Sequence, residues 1–112
     1  MAHDDMHVVV YKILAYLYDC LKNGEAPQRS MLVPDGAMLS IPYTYWVVII
    51  EELVARGYVR GFTVTRDIVG TANVDIRNPT ITMDGVDFLQ ENSRMRKALD
   101  FLRDVKCTLP FI

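Results

Sequence analysis

Arg60, Arg66 and Arg77 flank or sit in two short runs rich in β-branched and aromatic residues, Tyr58 to Thr65 and Val74 to Ile76, and each carries a guanidinium suited to a phosphate oxygen. Just upstream, the helical run Tyr43 to Gly57 turns Thr44, Val47, Val48, Glu51 and Ala55 outward, with Tyr43 at its margin. A hydroxyl such as that of Thr44 can hydrogen bond a base edge, and Val47 and Val48 can touch thymine methyls. Glu51 on the same side would meet phosphates with the wrong sign. Tyr43, Thr44, Val47, Val48, Arg60, Arg66 and Arg77 are therefore the candidate nucleic-acid contacts. His3 and His7, four apart with Asp4 and Asp5 between them, have helical ligand spacing, but no third ligand accompanies them and a solvated terminus is expected. Glu51 and Glu52 lie on different sides of their helix, so they form no facing acid pair. Neither a nucleophile with its base nor a glycine-rich phosphate loop can be assembled, so no enzymatic activity, cofactor or metal is expected.

These residues need a scaffold to hold them. Val10, Ile13, Leu14, Leu17 and Leu21 follow the spacing of one buried helical face, and Asn23-Gly24 stops it. Between Glu25 and Ile41 stand Pro27, Pro34 and Gly36, and the segment reads as a strand or extended stretch near Gln28 to Met31 followed by a short helix near Asp35 to Leu39. Ile41-Pro42 opens the third helix, whose buried face is centred on Trp46 with Ile49, Ile50 and Leu53, and Gly57 ends it as a C′ residue. Tyr58 to Thr65 then reads as a strand, Arg66 to Asn73 as a turn around Gly70, and Val74 to Ile76 as a second short strand. Asn78-Pro79 reads as a break. Thr82 caps a following helix, and Gly85 allows its first turn to approach another element closely. Ser93 caps a last helix with an apolar stripe of Met95, Ala98, Leu99, Leu102 and Val105. A hairpin directly behind the third helix is the signature of an α+β fold of winged helix-turn-helix type, with a three-helix core, a β-hairpin wing and additional C-terminal helices. One winged-helix domain over residues 1–112 is expected, with 83–106 as the appended helices.

Composition sets the bounds on partners. The chain has 112 residues, 51% apolar and 23% charged, which is ordinary for a single globular domain. No apolar run approaches the roughly 20 residues of a membrane span and no leader opens the chain, so no membrane association and a cytoplasmic location are expected. Cys20 and Cys107 are then expected as free thiols. The formal charge of −2 gives no general attraction for polyanions. Residues 1–57 hold 4 Lys/Arg against 7 Asp/Glu, and residues 58–112 hold 8 against 7, so any DNA contact would be local.

The runs Trp-Val-Val-Ile-Ile-Glu-Glu-Leu-Val-Ala-Arg-Gly-Tyr-Val-Arg-Gly at 46–61 and Asn-Pro-Thr-Ile-Thr-Met-Asp-Gly-Val-Asp-Phe-Leu-Gln-Glu-Asn-Ser at 78–93 resemble the YjcQ family of small winged-helix proteins of Gram-positive bacteria and their prophages. The likeness extends from about His7 to Ile112. It implies the winged-helix fold and a prokaryotic or phage setting, and it brings no activity and no catalytic residues.

Two functions stay open on the sequence. In one, the protein is a DNA-binding or regulatory module that uses the third helix and the wing. In the other, it is a protein-interaction or homodimerisation module, because Val47 and Val48 with the apolar tail residues Leu109 and Phe111 form surfaces that call for cover.

Overall fold

The computed structural model describes residues 5–91. Their order is α1 (Met6–Asn23), α2 (Arg29–Leu32), α3 (Tyr43–Ala55), β1 (Val59–Arg66), β2 (Ala72–Ile81) and α4 (Met83–Glu91). This is a mixed α+β arrangement of four helices and one antiparallel two-stranded hairpin, compatible with a winged-helix layout. The expected final helix with its Met95 to Val105 stripe, the tail residues Leu109 and Phe111, Cys107 and His3 lie outside the described residues.

The Asp5 carboxylate accepts a hydrogen bond from the His7 amide at 2.9 Å and so caps the start of α1. At its other end Gly24, at φ +69°, donates to Leu21 O, and Glu25 donates to Cys20 O at 2.9 Å. Every residue from Val8 to Leu17 is buried. The single apolar stripe expected for this helix is thus too narrow a description, because α3, the hairpin and α4 enclose it on several sides. Leu21, expected on the buried face, is exposed in the last turn. Enclosure also takes in Lys12, whose amine lies 3.5 Å from Met38 O and whose pKa burial lowers from the usual lysine value.

The segment after α1 corrects the sequence reading. Arg29–Leu32 is one helical turn rather than a strand, and residues 33–39 form turns instead of a helix. Pro34 sets where the helical turn stops. A proline disfavours the helical region for its predecessor, and Val33 sits at φ −89°, ψ 155°, which stops α2 at Leu32. The chain then folds back tightly: Gly36 donates to Val33 O at 3.1 Å, and a Cβ there would lie 2.2 Å from Ser30 O.

Trp46, Ile49, Ile50 and Leu53 of α3 are buried as expected. The Trp46 indole N–H donates to Leu32 O at 2.9 Å, so the largest core side chain satisfies a carbonyl in the last residue of α2. Gly57 at φ +71° donates to Val54 O and Tyr58 to Leu53 O, both at 3.0 Å. This pair of bonds closes α3 and sends the chain straight into β1.

The hairpin is longer than its sequence suggests, because β2 runs through the expected break at Asn78-Pro79. Pairing passes from Arg60↔Thr80 to Phe62↔Ile76, so Gly61 alone faces residues 77–79. Such a bulge accommodates a proline, which has no N–H to give the ladder. Gly61 is required at this point: its φ is +89°, and a Cβ would come 2.4 Å from Arg77 O. Val59, Phe62, Ile76 and Ile81 turn into the core shared with α1 and α3.

Thr82 caps α4 as expected, accepting from the Gly85 amide at 3.2 Å. It also joins α4 to the α3–β1 junction, since its hydroxyl donates to Gly57 O and its amide to Tyr58 O at 3.0 Å. A Cβ on Gly85 would lie 2.3 Å from Tyr58 O, which is the close approach that the sequence suggested. Phe88 completes the contact by stacking on Tyr58, with ring centroids 4.9 Å apart.

Candidate functional site

Helix α3 and the tip half of the hairpin meet at two points. The Tyr43 hydroxyl, at the helix start, donates to Ala72 O at 2.7 Å. Further along the helix, the Glu51 carboxylate takes a hydrogen-bonded ion pair from the Arg66 guanidinium. Arg66 and Ala72 are themselves partners across the two strands, so one cross-strand pair is held to α3 from both sides.

The surface beside these tethers is mixed. Thr44 is exposed, and Val48 keeps 48% of its surface in solvent. Val47 does not belong to this surface: it is 3% exposed and part of the core, which corrects its expected outward placement. Its burial follows from geometry. Val47 lies one 100° step round the helix from Trp46, and the buried arc reaches from Ile49 to Val47, about 160°, wider than an arc centred on Trp46.

The arginines are dispersed and largely neutralised. Arg66 pairs with Glu51, and Arg77 pairs with Asp75 at 2.9 Å. Arg60 is exposed and has no ion pair among the described residues. The strand rise puts Arg60 about 20 Å from Arg66, beyond the roughly 10 Å over which exposed charges act at moderate salt. Arg77 lies in the bulge beside Arg60, at the hairpin base. Off this face, Arg56 pairs with Glu52 at 3.1 Å, and that contact raises the pKa of the guanidinium further.

The hairpin tip supplies residues that the sequence reading passed over. Ile68 and Val69 are 105% and 86% exposed. They stand on a braced turn, where the Asp67 carboxylate accepts from the Val69 amide at 3.1 Å and the Thr71 amide at 2.9 Å. Two β-branched apolar residues inside an otherwise polar turn were the available signal.

A cleft of about 120 Å³ between α1, α3 and α4 is lined by residues that include Met6, His7, Val10, Leu53, Arg56 and Phe88. It is smaller than a usual small-molecule site. Among the described residues no three His, Cys, Asp or Glu side chains gather as metal ligands, and Cys20 is a buried free thiol. No helix among them is long and apolar enough to cross a membrane.

The geometry thus defines a small α+β protein whose third helix and hairpin share one outward face. The sequence model of the family described as YjcQ protein matches residues 11–108, and the chain belongs to that family. No curated protein and no solved structure matches the chain.

Proposed function

We propose that the protein is a non-enzymatic winged-helix module that binds a protein partner through the outer side of α3 and the hairpin tip. The carrying observation is that Arg66 and Arg77, the arginines that would approach a phosphate backbone, are each engaged by a carboxylate, while Val48, Ile68 and Val69 project into solvent. Exposed apolar groups beside paired charges suit an interface with an apolar centre and a polar rim better than they suit a duplex. Arg60, which has no ion pair among the described residues, and the exposed Thr44 favour a second reading, a DNA-binding regulatory module. Leu109 and Phe111, the other candidate interface residues, lie outside the described residues and carry no weight in either.

The test is comparative capture. Tagged parent protein and a Val48→Asp, Ile68→Asp variant are used as bait in extract of the source cells, with and without nuclease treatment, and bound proteins are quantified. A defined partner retained by the parent and lost from the variant is expected. Recovery of the same proteins by both baits, or capture that disappears with nuclease treatment, would reject the protein-binding reading.

A further inference from the structure

The Glu51–Arg66 pair differs from the other ion pairs of the described residues. Lys22–Asp19 and Arg56–Glu52 lie within one helix turn and Arg77–Asp75 within one strand, whereas Glu51 and Arg66 join α3 to β1 across 15 positions of sequence. Both side chains remain about half exposed, so the pair lies on the outward face and not beneath it. Arg66 is held in place there. Its cross-strand partner Ala72 is fastened to the same helix by the Tyr43 hydroxyl, which limits how far the strand end can lift the guanidinium towards a ligand.

We infer that Glu51 is the specificity-determining residue of this face, excluding phosphate-backbone polyanions by holding Arg66 and adding its own negative charge. The inference rests on the reading that α3 and the hairpin tip form the interaction face. A carboxylate here acts twice in the same direction: it occupies the guanidinium donors that would bind a phosphate oxygen, and it repels that phosphate. Its partner is the cation nearest the tip, since Arg60 and Arg77 lie at the hairpin base. With Glu51 neutral, the Arg66 guanidinium and the exposed Thr44 hydroxyl remain on this face as donors with no carboxylate between them. The same protein surface then acquires local phosphate affinity without any change of fold. Glu52, one position along, is engaged with Arg56 and supplies an internal comparison.

The experiment is fluorescence anisotropy with an end-labelled mixed-sequence 20-base-pair duplex in about 20 mM salt, using the parent, Glu51→Gln, Glu51→Ala, Glu52→Gln and Glu51→Gln/Arg66→Ala. Circular dichroism first establishes that all are folded. Glu51→Gln and Glu51→Ala are expected to bind with dissociation constants of about 10 μM, at least about tenfold tighter than the parent's limit of about 100 μM, and with a salt dependence of about one phosphate contact or more. The added Arg66→Ala change removes that gain, and Glu52→Gln does not reproduce it. Equal binding by Glu51→Gln and the parent overturns the inference, including the case in which neither binds. So does a gain that survives loss of Arg66, or an equal gain in Glu52→Gln, since either would reduce the effect to net charge. The parent's own affinity tests the proposed function; the ratio between variants tests the role of Glu51.

Discussion

Replacing Trp46 tests how the interaction face is held. Its ring is 3% exposed, and its N–H supplies a bond to Leu32 O. Trp46→Phe keeps an aromatic ring in the core but leaves that carbonyl without its donor, at a cost of about 1–3 kcal/mol, and the lost ring volume adds a cavity term. A destabilisation of roughly 2–3 kcal/mol is expected, and roughly 3–5 kcal/mol or more for Trp46→Ala. Against a typical net stability of about 5–15 kcal/mol, the alanine variant is left marginal and the phenylalanine variant folded. Urea unfolding followed by circular dichroism at 222 nm measures both, because the single tryptophan is itself removed and cannot report. An unchanged m-value would show that the difference lies in the native state. A Trp46→Phe variant within about 0.5 kcal/mol of the parent, the range usual for surface substitutions, would show that neither the bond to Leu32 O nor the indole volume stabilises the fold.

Neighbouring valines should behave differently: Val47→Asp buries a charge and should cost several kcal/mol by urea titration, whereas Val48→Asp should stay within about 0.5 kcal/mol. Gly85→Ala should destabilise by about 1–2 kcal/mol despite alanine's better helix propensity, because the new methyl would meet Tyr58 O and Ile81 Cγ1, at 2.3 and 2.7 Å. A stabilised Gly85→Ala variant would show that α4 does not press on the α3–β1 junction. Burial pushes the Tyr16 hydroxyl up to about 12, above its unfolded value near 10, so its contribution is complete below pH 10 and is lost as pH rises towards 12. Parent protein should therefore lose on the order of 1–2 kcal/mol more than Tyr16→Phe across that window. Buried Lys12 has a lowered pKa and pulls the other way as the pH rises to its unfolded value of 10.5, but it does so equally in both proteins.

What could be read from the sequence was local. Gly57 ends α3, Thr82 caps α4 and Gly85 marks a close contact because each meets a need set by a few adjacent backbone groups. Trp46 and its aliphatic neighbours announce themselves by helical spacing. The errors arose where distant packing or a single proline decided. Arg29–Leu32 is one turn long, too short for periodicity to register, and Pro34 sets its end from outside. Asn78-Pro79 looks like a terminator, yet Gly61 on the opposite strand makes room for it as a bulge. Val47 is buried because the covered arc of α3 is wide, which no residue of α3 alone specifies. At the candidate site, Glu51 and Arg66 were each visible as charged residues, but their pairing depends on hairpin register and could not be. Ile68 and Val69 became notable only once the tip was seen to leave them uncovered.

On the proposed reading the α3 and hairpin face, with Arg66 and Arg77 engaged by carboxylates, serves a protein partner. The most direct test of that reading is titration of the parent protein against mixed-sequence duplex DNA at low salt, read by anisotropy. No saturable binding up to about 100 μM is predicted, weaker than the usual range for non-specific DNA binders. A salt-sensitive dissociation constant in the low micromolar range would contradict the account and return the face to nucleic acid.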